Sequence, residues 1–306
     1  VRISHGLKTI GLVGLEGPAA KVAERLLGAG HDVVLWDPSK RARDAFKGRA
    51  ELAESVRDAA QRSDILLMML PRPGEVFDLC TTSQGIYDSM RPGKIVAVLS
   101  AILPSHSPQL AEKLRRRGAV FMEAPVVGGM DEIARGSALT LVSGSRSAYQ
   151  ELLEVLRSFS GRVYYLGEGF SAMSAKLAIS VMAAAYAEAL GEAAALASRS
   201  GVDMKAFAQV VSSVNGGRMP FGVSVEDAIA GSGGVSVSLE ALLTELRLAI
   251  ASAEERNVSM PAAGLLGGLY TAALSRGSGE GDYSSIVRFL AELSPPREPR
   301  RGRGRV

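Results

Sequence analysis

Lys176, followed one helical turn later by Ser180, is the residue of this 306-residue chain best suited to move a proton. Held in a cleft and stripped of water, a lysine can pass a proton to or from a substrate oxygen; in solvent it is an ordinary surface cation. Upstream, the segment E-A-P-V-V-G-G from Glu123 to Gly129 offers a second chemistry. Pro125 stiffens the exit from an apolar run. Gly128 and Gly129 let the chain bend so that backbone N–H groups point into a cleft where a small carboxylate can sit, a plain turn into the next helix being the alternative. Nearer the start, Gly14 stands where the first apolar run breaks into a helical pattern, and free N–H groups at such a turn hold phosphates.

The run Gly14 to Ala19 reads G-L-E-G-P-A, with Leu15 following the first glycine. Ala19 is permitted where a dinucleotide turn has its third glycine. Glu16, at the second, puts a negative charge where the backbone approaches a phosphate, or else stabilises an empty helix N-terminus. Asp37 follows Gly14 by 23 residues and ends the second apolar run, with Pro38 after it. An acid there accepts the ribose hydroxyls of adenosine and favours NAD over NADP, whereas Lys40, Arg41 and Arg43 are placed to receive a 2′-phosphate.

The elements that must position these residues are legible as alternating apolar runs and helical patterns. Strands are predicted at 9–13, 32–36, 65–70, 95–99, 120–123 and 139–142, with helices at 20–27, 55–61, 107–116 and 148–158 between them. Near-continuous apolar runs such as I-L-L-M-M-L, Ile65 to Leu70, suit a parallel sheet covered on both faces. After a last strand at 163–166 the pattern is helical: 176–199, 203–214, 239–254, 261–275 and 282–292, separated by glycine-rich joints. The fold class expected is α/β, a Rossmann-type doubly wound parallel sheet over 1–166, then an all-α domain over 167–293 and a basic tail over 294–306. Ten alanines in the predicted helix 176–199 allow close approach on more than one face, so a homo-oligomer, dimer or tetramer, is expected.

Composition, 47% hydrophobic and 22% charged, is that of a globular chain. The single cysteine, Cys80, cannot form an internal disulfide, and no signal-peptide pattern opens the sequence, so a cytoplasmic location is expected. The most apolar helical stretch, Leu177 to Ala187, is interrupted by Glu188 and Glu192, which argues against a membrane anchor. The formal charge of +3 is more than accounted for by Arg297, Arg300, Arg301, Arg303 and Arg305 in the tail, opposed by Glu298. The body is not basic, and any nucleic-acid contact is confined to that tail. His5, His31 and His106 are read as structural or surface residues, and no metal site is expected.

Motifs spread over the length resemble the β-hydroxyacid dehydrogenase family: G-L-V-G at Gly11, A-G-H at Ala29, Leu70-Pro71, S-A-I-L-P at Ser100, A-P-V-V-G-G at Ala124, Lys176-Leu177 and G-D-Y-S-S at Gly281. The resemblance implies hydride transfer between NAD or NADP and a small 3-hydroxy acid. It makes Lys176 the acid/base with Ser180 beside it, Val127, Gly128 and Gly129 the carboxylate site, and Leu70, Pro71, Ser100 and Thr244 part of the cofactor lining. Val127 replaces a usual Ser, Ser180 an Asn, Thr244-Glu245 a Lys-Asp pair, Ala101 a Thr, and Phe170 and Ala172 two glycines. These replacements remove hydrogen-bond donors from the acid pocket and favour less polar carbonyls or imines. Two further readings are a non-catalytic nucleotide-binding or interaction protein on the same scaffold, and an imine-reductase-like enzyme, against which Lys176 speaks.

Overall fold

A computed structural model describes residues 8–293 apart from Ser83 and Glu280. His5 and the arginine-rich tail, 294–306, lie outside the described residues. Nine strands form one sheet: β1 (Ile10–Val13), β2 (Val33–Trp36), β3 (Glu51–Leu52), β4 (Ile65–Met68), β5 (Ile95–Val98), β6 (Val120–Glu123), β7 (Val126–Val127), β8 (Ala138–Gly144) and β9 (Ser160–Tyr165). Their order is β3-β2-β1-β4-β5-β6-β8-β7, with β9 paired to β8. The first six are parallel in the doubly wound order, and β8 runs antiparallel to β6.

Register places the ends of the central strands in one row, Trp36 beside Val13, Val13 beside Met68, Met68 beside Val98 and Val98 beside Glu123. The residues that follow them, Gly14, Asp37, Leu70, Ser100 and the run from Ala124, therefore line one edge of the sheet, where ligands of open α/β sheets bind. Both faces are covered: Leu12, Leu35, Leu67 and Met122 pack in one core, and Val13, Leu66, Met68, Val96 and Phe121 in another. Near-continuous apolar strands follow from that double burial.

Several boundaries differ from the sequence reading. Strand β4 ends at Met68, because Met69 makes the last rung to Val13 O (2.9 Å) and Leu70 turns its N–H toward Ser100 Oγ (3.4 Å). Strands β3 and β7, two residues each, are too short to show a period. Helix Pro73–Thr81 is not among the expected elements; Pro73 starts it, its missing N–H falling where a helix needs none.

After β9 the described chain is helical. The long helix Ala172–Arg199, roughly 42 Å at 1.5 Å per residue, packs against Leu239–Glu255 and Ser285–Glu292. Its buried Ala183, Ala184 and Ala187 let Leu242, Leu246, Tyr270 and Phe289 approach closely in a separate core. By length and composition this helix could cross a membrane, but its Lys176, Leu177, Ser180 and Ala183 are buried within the chain. Helix Ser285–Glu292 starts three residues later than the sequence suggests, since the Asp282 carboxylate accepts from the N–H groups of Ser236, Val237 and Ser284 instead.

Cys80 is fully buried, and burial pushes its thiol up to about 12. Little thiolate forms at pH 8, so no reaction with a disulfide reagent is expected from the native protein, and one equivalent per chain on unfolding in guanidinium. Absorbance of the released thiol checks this; rapid native labelling would show an open core around β4 and Pro73–Thr81.

Candidate active site

The first turn at the sheet edge has a backbone geometry that can hold a phosphate. Gly14 has φ +102°, and a Cβ there would lie 2.0 Å from Met69 O, so only glycine fits. The turn feeds helix Pro18–Gly28, whose N-terminus has no side-chain cap, and Glu16 is exposed without closing it. Uncapped N–H groups at a positive helix end suit a pyrophosphate, so these residues fit a dinucleotide. Asp37 is only 4% exposed and clamps two turns together: Leu15 N–H donates to Oδ2 (2.7 Å) and Ser39 N–H to Oδ1 (2.7 Å). Each oxygen keeps a lone pair for a ribose hydroxyl. Arg43 turns its guanidinium onto the carbonyls of Asp37 and Pro38, while Lys40 and Arg41 stay exposed at the rim.

Glu16 is the misfit in this turn. Replacing it by glycine removes a charge from the phosphate position and is expected to tighten NADH or NADPH binding by about tenfold, a typical electrostatic increment in a partly exposed site. Fluorescence titration of the nucleotide checks it; unchanged affinity would place the Glu16 carboxylate clear of the phosphates.

Lys176 lies one turn into the long helix and is 5% exposed. Its ammonium donates to Glu245 Oε2 (2.6 Å) and to Ser180 Oγ (3.1 Å), and Ser180 passes its own proton donor to the same glutamate oxygen. The Phe221 ring lies 4.9 Å from the nitrogen, a cation–π contact. An ammonium has three donors, and these two hydrogen bonds use two of them. Ser180 is fully buried, and the Glu245 side chain is 15% exposed. Pairing keeps this charge tolerable away from water. Glu245 stands out in the sequence only as the neighbour of Thr244, and nothing in its local pattern announces that it meets Lys176 across 69 positions.

The start of the lysine helix is fixed by the strand carrying the E-A-P-V-V-G-G run. Glu123, 0% exposed, accepts from Ser107 Oγ, Ser143 Oγ (2.7 Å) and Met173 N–H (3.1 Å). Ser143 Oγ accepts from the N–H groups of Ser171 and Ala172 (3.2 and 3.1 Å). Three successive N–H groups are thus satisfied from β6 and β8, which is why the helix begins at Ala172 rather than at Lys176.

The double-glycine turn is docked against the helical half. A Cβ on Gly129 would lie 1.8 Å from Ser236 Oγ, and Met130 N–H donates to Ser236 O (3.2 Å). Gly129 N–H is bonded to Glu132 Oε2 (3.0 Å). Val127 packs on the helical core. Leu70 and Ser100 meet through their hydrogen bond, with exposed Pro71 beyond, while the Thr244 hydroxyl is turned back onto Glu240 O (2.9 Å) along its own helix. Among the described residues no group of three or more His, Cys, Asp or Glu is arranged to hold a metal ion.

Comparison with known proteins accords with this geometry. Residues 9–167 match the NAD binding domain of 6-phosphogluconate dehydrogenase, and 171–290 the NAD-binding of NADP-dependent 3-hydroxyisobutyrate dehydrogenase. Mitochondrial 3-hydroxyisobutyrate dehydrogenase of Rattus norvegicus is 28% identical over 296 residues, 92% of this chain and 87% of that protein. NAD-dependent L-serine dehydrogenase of Pseudomonas aeruginosa is 28% identical over 294 residues, covering 93% and 98%. The crystal structure of 3-hydroxyisobutyrate dehydrogenase from Salmonella typhimurium superposes with a TM-score of 0.80 at 24% identity, over 92% of this chain and 99% of that one. An imine reductase from Myxococcus stipitatus shares the fold less closely, at 0.61 and 22%, over 92% and 99%. A phosphate turn, a buried lysine triad and family matches that run through both halves together make this chain a member of the β-hydroxyacid dehydrogenase family, an NAD(P)-dependent oxidoreductase.

Proposed function

We propose that the chain interconverts a small carbonyl compound and its alcohol, with Lys176 giving the proton to, or taking it from, the substrate oxygen. The observation that carries this is the buried Lys176–Ser180–Glu245 triad with one ammonium donor left over. A bound nicotinamide supplies or accepts the hydride. The protein's part is to hold the substrate oxygen on that free donor, to exclude water with Phe221 and Val127, and to replenish the lysine proton through Ser180 and Glu245. With Val127 in place of a hydroxyl, the pocket favours less polar carbonyls over a standard 3-hydroxy acid.

Purified protein assayed with NADH and NADPH against small aldehydes, keto acids and imines tests this: turnover of at least one carbonyl is expected, and none from a folded protein would defeat it. A non-catalytic scaffold is the second reading, favoured by Glu16 in the phosphate turn. Failure to bind either nucleotide in calorimetry would select it. Buried Asp37 retains a lean to NAD, with Lys40 and Arg41 as the means of taking NADP.

We further propose a division near residue 166 into a dinucleotide-binding and a helical domain, a cytoplasmic location, and a homo-oligomer. Support for the last is apolar surface on the helical half. Met182 (68%), Leu196 (71%) and Leu265 (65%) are exposed, and Leu196 lines an apolar groove with Leu269, Leu290 and Leu293.

A further inference from the structure

We propose that Phe221 is a positioning residue for Lys176: its ring, held in a conformation that the backbone alone would not choose, screens the ammonium from a neighbouring polar cavity and keeps it on Ser180 and Glu245. Phe221 has φ +61° and ψ +23°, left-handed values that are costly for a bulky side chain. Among the described residues the one other non-glycine at positive φ is Asn257, a type that tolerates it. Gly222 N–H donates to Met219 O (3.2 Å), which closes a turn whose third position, that of Phe221, ordinarily falls to glycine. The phenylalanine is kept there from outside the turn. Three successive carbonyls each accept from a side chain: Pro220 O from the Tyr283 hydroxyl, Phe221 O from Ser236 Oγ (2.6 Å) and Gly222 O from Arg218 (2.8 Å). A conformation of this kind persists where its surroundings over-determine it, and such places gather at functional sites.

What these tethers aim is the ring. It is 6% exposed, meets the Tyr283 ring edge-on at 5.8 Å and stands 4.9 Å from Lys176 Nζ. An aromatic face attracts an ammonium and offers it no hydrogen-bond acceptor, so it supports the charge without drawing the donors from their oxygens. Phe221 also lines a cavity of about 220 Å³ bordered by Asp131, Arg135, Arg218 and Asp227, which Lys176 does not line. Phe221 thus borders both the proton-transfer group and that polar space. Glycine in its place would relax the turn but open the ammonium to the cavity, where water would compete for the bonds to Ser180 and Glu245 that orient the nitrogen.

This inference rests on the reading of Lys176 as the proton donor and deepens it, and its test separates the two. Competitive labelling with acetic anhydride, read peptide by peptide in a mass spectrometer, needs no substrate. Phe221→Leu removes the ring and leaves a side chain equally strained at this φ, so the pair isolates the ring. Relative to exposed Lys205, Lys176 is expected to acetylate about tenfold faster in F221L, the scale of one desolvated cation–π contact. Phe221→Tyr keeps the ring, and Tyr283→Phe loosens the turn by cutting the tether on Pro220 O; both stay within about twofold of the unsubstituted protein, although Y283F melts at a lower temperature. On a carbonyl that the unsubstituted protein reduces, F221L lowers kcat about tenfold with KM within about twofold, and F221Y retains the original kcat. Unchanged labelling of Lys176 in F221L, or an equal acceleration in Y283F, overturns the assignment. If no carbonyl turns over, the proton-donor reading is what fails, and the labelling alone decides the role of Phe221.

Discussion

Replacing Lys176 by methionine lowers kcat by about 10³, within the range that a positioned acid/base contributes. The apolar stem of methionine fills much of the same space, so the loss reads the ammonium rather than the packing. Nucleotide affinity changes little, since the pyrophosphate turn at Gly14 lies on the other half of the chain. Stability falls as well, because Glu245 is left beside Ser180 with no cation. Removing one partner of a buried pair costs about 3–5 kcal/mol. The double substitution Lys176→Met with Glu245→Met recovers stability but not turnover, which separates chemistry from folding. The measurement is kcat on whichever carbonyl the unsubstituted protein reduces, alongside thermal melting of each variant. A single variant that keeps a tenth of the original kcat means that the proton comes from elsewhere.

The second large effect is at Glu123. Glu123→Ala strips the acceptor from Ser107, Ser143 and Met173 N–H and leaves a void at the junction of β6, β8 and the long helix. Hydroxyls can rotate to other partners but the amide cannot, and one unsatisfied buried donor with a cavity costs about 3 kcal/mol. For a chain of this size that corresponds to a fall in Tm of roughly 5 °C. Because Lys176 stands one turn beyond Met173, turnover drops with stability. Glu123→Gln, which keeps one acceptor and the side-chain volume, loses less than half as much. Calorimetric melting of the two variants distinguishes a load-carrying carboxylate from a merely buried one; equal, small shifts would remove Glu123 from its role.

What could be read from the sequence was whatever is periodic or local. The alternation of apolar runs with helical patterns located five of the six parallel strands, β1, β2, β4, β5 and β6, together with β8, and missed the two-residue β3; the change to helical spacing after residue 166 located the second half. Gly14 and Asp37 stood out because each follows a strand end; Ser100 came only from the family resemblance, and Lys176 reads as opening a helix that in the structure starts at Ala172. The links between them were not legible. Glu245 reaches Lys176, and Glu123 reaches Met173, only because tertiary packing brings together positions far apart in sequence, and a carboxylate inside an apolar run carries no mark of its partner.

The contact at Gly129 bears on how such a chain can be recombined. Because Ser236 Oγ presses on the place where a side chain would begin, substitutions at the two positions are coupled. A hybrid made by crossing two homologues anywhere between them keeps its crevice only if the first parent contributes a bare α-carbon there and the second a residue no bulkier than serine opposite it. Shuffled libraries should therefore divide into active and inactive progeny at this one lock-and-key pair, whatever the parents' overall identity.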